Sequence, residues 1–263
     1  MNNISVVINC YNSELFLKEC IESVLNQSFQ NFELIIWNNC SIDNTDTVVK
    51  EFTDKRIRYF VSNKFTNLSK ARNLALEKAK YDWIAFVDSD DIWEQNKLSK
   101  QLKIISTKKN EVGLVYTDFH YINDKSEIIN KKSYTKFYDK KILNSLLKEN
   151  YICFSSIIFN KKFLKKKPFC EVLQNAEDYY LILNLANNSS VYYVKEKLTK
   201  YRLHKNNLSN SQGLRSFAEW QYILSKLSYI NIFYYKKLVK RKFFFFKLKN
   251  KIKSIYDVFN NRK

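Results

Sequence analysis

Four short apolar runs alternate with stretches of helical spacing in the first ninety residues: Ile4–Ile8, Glu33–Trp37, Ile57–Val61 and Trp83–Val87. Runs of this length between polar flanks read as strands, the first and last buried and Ile57–Val61 amphipathic. Between the first two, Leu17, Cys20, Ile21, Val24 and Leu25 lie on one face of a helix expected over 14–26. Between the last two, Leu68, Ala71, Leu74, Ala75 and Ala79 do the same for a helix over 68–80. A shorter helix to about Phe52 opens at Thr45 or Asp46, either of which can cap it. Strand and helix alternating through short loops predict a parallel sheet with crossover helices, an α/β architecture of the nucleotide-binding type.

The fourth run stops at three carboxylates, Asp88, Asp90 and Asp91. Open α/β sheets bind their ligands at the carboxyl ends of such strands. Clustered carboxylates repel and need a countercharge, which a hard divalent cation shared with phosphate oxygens supplies. The competing reading is that Asp91 caps the helix that follows, with the other two acids facing solvent. With only two glycines, the chain carries neither GxGxxG nor GxxxxGK[ST], which disfavours dinucleotide-fold and P-loop chemistry. Phosphate would then be held by a metal rather than by a glycine cradle.

Beyond Asp91 the pattern predicts a helix over 94–106, a strand over 113–117, a polar irregular stretch over 118–138 and a helix over 140–148. A strand over 151–159 and a basic helix-like segment ended by Pro168 follow. A helix then runs from Ala176 to about Asn187, a strand over 191–194 and an extended segment over 198–204. The five cysteines are scattered and form no CxxC pair, which argues against structural zinc or a disulfide framework and for a reducing cytoplasm. No run of 18 apolar residues and no basic leader are present, so neither a spanning helix nor a secretory signal is expected.

Seven short motifs together resemble family 2 glycosyltransferases. They are Ile4-Ser-Val-Val-Ile-Asn-Cys-Tyr-Asn12, Ser23-Val-Leu-Asn-Gln-Ser28, Asn38-Asn39-x-Ser41-x-Asp43, Ala71-Arg72-Asn73, Phe86-Val-Asp-Ser-Asp-Asp91, Ala176-Glu-Asp-Tyr179 and Tyr201-Arg-Leu-His204. Each is weak alone, but they occur in the family's order and at its typical spacing across roughly residues 1–210.

The resemblance implies a GT-A fold, a nucleotide-sugar donor, and a glycan or lipid-linked acceptor. Asp88 and Asp90 match the family's DxD element, which binds Mg²⁺ or Mn²⁺ bridging the donor diphosphate. It implies Asp90 as the direct ligand and Asp88 toward metal or ribose. His204 matches a histidine that completes the metal shell. Asp178 matches the catalytic base, which deprotonates the acceptor hydroxyl and gives inversion. Arg72 matches an arginine that holds the DxD carboxylates or a donor phosphate, and Tyr11 lies where the base would stack. Taken alone, Glu177-Asp178 also reads as the acid-rich start of a helix.

Two departures bear on specificity. The base-recognition loop carries Asn38-Asn39 where the family usually has an acid; an amide oxygen can still accept from uracil N3–H, without the charge. The region before Glu177 reads Lys165-Lys-Lys-Pro-Phe169 where the family often has two glycines, so sugar and acceptor do not carry over.

The formal charge of +19 suggests anionic partners, although an AT-rich coding bias would also raise lysine. Residues 214–263 hold thirteen Lys/Arg against two acids, Glu219 and Asp257. This segment, set apart as a basic helical tail over 211–263, interleaves lysines with Phe243–Phe246, Leu248 and Ile252. The combination suits an anionic membrane surface at the cytoplasmic face better than nucleic acid. The remaining rivals are a basic membrane- or nucleic-acid-binding module with structural acids, and a sugar nucleotidyltransferase, which lacks its glycine-rich basic N-terminal loop here.

Overall fold

The computed structural model describes residues 3–108, 112–205, 207 and 214–227. The chain divides into two compact units, Met1–Ser211 and Gln212–Lys263.

In the first unit, β1 (Ile4–Cys10), β2 (Phe32–Asn38), β3 (Ile57–Val61) and β4 (Trp83–Asp88) form a parallel set in the order β3-β2-β1-β4. The intervening helices are α1 (Leu17–Leu25), α2 (Thr45–Lys50) and α3 (Leu68–Leu76). Ile4, Val6, Val7 and Ile8 of β1 have no exposed surface. Each such side chain contributes about 1.5–3 kcal/mol by leaving water, which favours an interior place for β1 between β2 and β4.

The sheet continues through antiparallel β8 (Ile158–Asn160) to β6 (Val112–Ile122), then β9 (Ser190–Arg202) and β5 (Ile92–Trp93). The two-residue β7 (Ile128–Ile129) pairs with β6. α4 (Lys97–Lys108), α5 (Leu143–Leu146) and α6 (Glu177–Asn188) complete this unit. One of the two glycines, Gly113, lies where a Cβ would meet Ser189 Oγ at 1.8 Å, so a side chain cannot be added without moving β6 or Ser189, the residue between α6 and β9.

Several expectations fail in this half for a common reason. Residues 118–122, read as irregular, belong to β6, because the long parallel pairing with β9 recruits polar residues that carry no periodic signal. Residues 151–159 are mostly not a strand: a 3-10 turn occupies Phe154–Ser156, and β8 is only three residues long. The segments over 191–194 and 198–204 merge into one bulged strand, β9. Asp91 is fully buried and is not a helix cap, since β5 intervenes and α4 starts six residues later at Lys97.

In the second unit the described residues form α7 (Leu214–Lys226) and Leu227. Trp220, Ile223, Leu224 and Leu227 are buried. The basic aromatic stretch over 236–253 lies outside the described residues. No helix among the described residues is long and apolar enough to cross a membrane.

Candidate active site

The strand order reverses direction at β1, which has β2 on one side and β4 on the other. A crevice at the carboxyl ends of such strands is where doubly wound sheets bind ligands. The register places Trp37, Asn9 and Asp88 side by side across β2, β1 and β4, with Cys10 beside Asn38 one residue further on. Both amide atoms of Asn9 and the indole nitrogen of Trp37 are buried without a hydrogen-bond partner among the described residues. Unpaired buried polar groups are costly, so these positions are ones where the strand ends carry unmet hydrogen-bonding capacity beneath the crevice.

Tyr11 follows β1 and is 45% exposed. Its ring lies 4.6 Å from that of Phe65, an exposed residue of the loop before α3. Asn38 and Asn39 are buried and spend their amides internally. Asn38 donates to the Tyr59 hydroxyl at 2.8 Å and accepts from the Ser41 backbone at 2.8 Å. Asn39 donates to the Thr66 carbonyl at 2.7 Å and accepts from the Thr66 hydroxyl at 2.9 Å. These contacts hold the loops carrying Cys40 and Phe65.

Arg72 joins the two halves of the site. It projects from α3, which Asn67 caps by accepting from the Lys70 backbone N–H. Its guanidinium donates to Asp88 Oδ1 at 2.7 Å and to Glu177 Oε1 at 2.6 Å, and its Cζ lies 4.2 Å from the centre of the Phe154 ring. The same helix pins the chain before α6. Asn73 both donates to the Phe169 carbonyl and accepts from its N–H, at 2.8 and 3.1 Å, while Ser69 donates to the Leu173 carbonyl at 2.6 Å. The glycine-free approach to Glu177 is therefore held by α3.

Asp178 stands in the first turn of α6, its Oδ1 accepting from the Tyr179 backbone at 2.6 Å. Burial raises its pKa, with the charge of Arg72 acting in the opposite direction. Burial pushes Glu177 up to about 7 despite its contact with Arg72. One cation shared among Asp88, Glu177 and Asp178 does not offset the desolvation of all three.

At the other edge, Asp90 Oδ2 meets His204 Nε2 at 2.8 Å, and Asn207 Nδ2 lies 3.4 Å from the same oxygen. The two groups hydrogen-bond to each other here and lie close enough to share one cation, the carboxylate as a hard oxygen donor and the neutral imidazole as a nitrogen donor. Among the described residues no three His, Cys, Asp or Glu groups converge on a metal-binding point. A two-ligand edge fits a cation that takes its remaining ligands from phosphate and water.

Of the residues singled out in the sequence, Asp88 and Arg72 are thus in contact, as are Asp90 and His204. Arg72 is buried and bonded to two carboxylates, so it is not a surface arginine of its helix. Motif reasoning assigned no role to Glu177, Arg202, Asn207 or Asn9. Glu177 and Arg202 lie inside quoted motifs, and their burial is what distinguishes them.

The chain matches the profile of glycosyl transferase family 2 over residues 5–167. The UDP-Glc:alpha-D-GlcNAc-diphosphoundecaprenol beta-1,3-glucosyltransferase WfgD of Escherichia coli is 33% identical over 219 residues, 82% of this chain and 83% of that protein. Among solved structures, S. aureus TarS 1-349 in complex with UDP-GlcNAc superposes with a TM-score of 0.73 at 19% identity, covering 91% of this chain and 70% of that one. The mannosyltransferase PcManGT from Pyrobaculum calidifontis, in complex with GDP-Man and Mn2+, gives 0.64 at 14% identity over 87% of this chain and 64% of that one. The fold is GT-A, and the protein is a glycosyltransferase. It belongs to glycosyl transferase family 2.

Proposed function

We propose that this enzyme moves a sugar from a UDP-linked donor to a hydroxyl of a lipid-linked or surface-glycan acceptor, inverting the anomeric configuration with the help of a divalent metal. The observation that carries this reading is the Arg72 bridge between Asp88 and Glu177, which ties the strand end suited to a donor to the helix start bearing Asp178.

In this reading the donor lies across the β1/β4 crevice. Its base stacks on Tyr11, with Phe65 beside it, while Asn38 and Asn39 shape the base pocket by holding its loops. Asn9 faces the nucleoside, and Asp88 faces ribose or metal. Asp90 and His204 would hold Mg²⁺ or Mn²⁺, which when bound would offset the charge developing on the leaving diphosphate. Asp178 takes the proton of the acceptor hydroxyl as that oxygen bonds to the anomeric carbon, while the bond to the diphosphate breaks on the opposite face. Arg72 opposes the rise that burial imposes on the Asp88 carboxyl and holds Glu177, and so the start of α6, in place.

The uridine donor is supported by WfgD, whose name specifies UDP-Glc, and by the UDP-GlcNAc bound to TarS. The lipid-linked acceptor is supported by the diphosphoundecaprenol in WfgD's name. An acceptor of that kind places the enzyme at the cytoplasmic face of a membrane, where the basic tail would meet anionic headgroups.

A screen of nucleotide sugars with Mn²⁺, read by thermal shift and by NMR of the transferred anomer, tests the reading. Stabilisation by a UDP-sugar and an inverted product are expected. Stabilisation by an oligonucleotide alone, or a retained anomer, would overturn it.

A further inference from the structure

Arg202 is the largest fully buried side chain in the described structure, and neither the reaction scheme nor the motif comparison gives it a task. It gathers three separate segments. Its Nε donates to the Asp90 carbonyl at 2.8 Å. Its Nη1 reaches the Asn123 carbonyl at 3.0 Å, the Asp124 carbonyl at 3.4 Å and the Ser126 hydroxyl at 3.0 Å, all in the turn between β6 and β7. Its Nη2 pairs with Glu19 of α1 at 2.8 Å, and its Cζ sits 4.3 Å from the centre of the Phe16 ring. Its backbone N–H donates to Asp91 Oδ1 at 3.0 Å, and its carbonyl accepts from Asn207 at 3.0 Å.

The two buried arginines grip the acidic strand end differently. Arg72 takes Asp88 by its carboxylate. Arg202 takes Asp90 by its carbonyl, leaving that carboxylate to His204 and Asn207. His204 lies two residues beyond Arg202, and its ring packs 5.3 Å from the same Phe16. Arg202 thus fixes the main chain of Asp90 and the point from which His204 departs.

We propose that Arg202 is the positioning residue of the metal edge: by holding the Asp90 main chain to α1 and to the turn after β6, it sets Asp90 and His204 at the spacing of two ligands before the cation arrives. The inference rests on the metal reading above. Partners behind metal ligands commonly change metal affinity by about 10–100-fold when removed. A planar guanidinium suits the task because it serves several acceptors in fixed directions, which an ammonium does not.

The test is a Mn²⁺ titration followed by EPR, with UDP present and at a temperature where each variant is folded, alongside kcat and the Mn²⁺ activation constant. Arg202→Met is expected to weaken Mn²⁺ binding about 10–100-fold, with kcat largely restored at saturating Mn²⁺. Arg202→Lys should recover part of the loss. Ile105→Ala, a core truncation in α4, is the control for lowered stability and should leave Mn²⁺ affinity unchanged. Wild-type affinity in folded Arg202→Met, or an equal loss in Ile105→Ala, would overturn the proposal. Should Arg202→Met fail to fold, Glu19→Gln decides: it loosens Arg202 without touching Asp90, so weaker Mn²⁺ binding supports the proposal and unchanged binding refutes it. Absence of Mn²⁺ binding in the wild type would instead refute the metal reading itself.

Discussion

Arg72 and Glu177 lie 105 residues apart in the chain and meet at 2.6 Å, both almost fully excluded from solvent. The pair fastens α3 of the parallel half to α6, and the second arm of the same guanidinium holds Asp88. Removing the cation leaves the buried Glu177 carboxyl without its partner, a loss that typically costs about 3–5 kcal/mol, while the partly exposed Asp88 arm adds little. Arg72→Met should therefore lower the denaturant midpoint sharply. Arg72→Lys should recover little, because an ammonium cannot bridge two carboxylates in this geometry. Equal stability of Arg72→Met and wild type would show that the bridge is not structural.

Glu177 gives stability a distinct pH dependence. Its folded pKa is about 7 against 4.5 for an unperturbed carboxyl, with burial as the main cause. Between those values the folded chain keeps a proton that the unfolded chain has released, so this group's contribution falls as pH rises through the window and is fully lost above it. Glu177→Gln should flatten the Tm profile between about pH 4.5 and 7. A variant profile as steep as wild type would place the titration elsewhere.

The metal edge predicts a division between two neighbouring acids. Asp90→Asn should weaken Mn²⁺ binding with little loss of global stability. Asp88→Asn should also disturb the Arg72 bridge and lower Tm. Calorimetry with Mn²⁺ and UDP, paired with thermal denaturation, separates them. Identical effects on both readouts would remove the distinction.

The Tyr11–Phe65 pair should act on donor binding alone. A base stacked on an aromatic ring is worth about 1–3 kcal/mol, so Tyr11→Ala should raise the donor KM about 5–150-fold with kcat nearly unchanged. Phe65→Ala should do the same to a smaller degree. A fall in kcat with constant KM would move these rings away from the base.

The parallel half was legible because β1, β2 and β4 are buried almost throughout and its helices are amphipathic; β1 to β4 fall within a residue or two of their expected bounds. The second half was less so. β6 and β9 contain Asp118, His120, Lys197 and Lys200, whose strand character comes from mutual pairing rather than from local pattern. Asp91 looked like a cap because the intervening β5 is two residues long. Asp88, Asp90, Asp178 and His204 could be singled out by motif, but the buried partners that orient them could not. Arg202 and Glu177 are ordinary charged residues until the fold removes them from water.

The central claim is that Asp178 makes the acceptor nucleophile while the strand-end acids serve the donor. Asp178→Asn tests it most directly. With the accepted donor and Mn²⁺, the variant should lose about 10²–10⁴-fold in kcat, the usual worth of a positioned general base, while UDP binding by calorimetry stays at the wild-type value. Turnover at the wild-type rate with undiminished UDP affinity would contradict the claim.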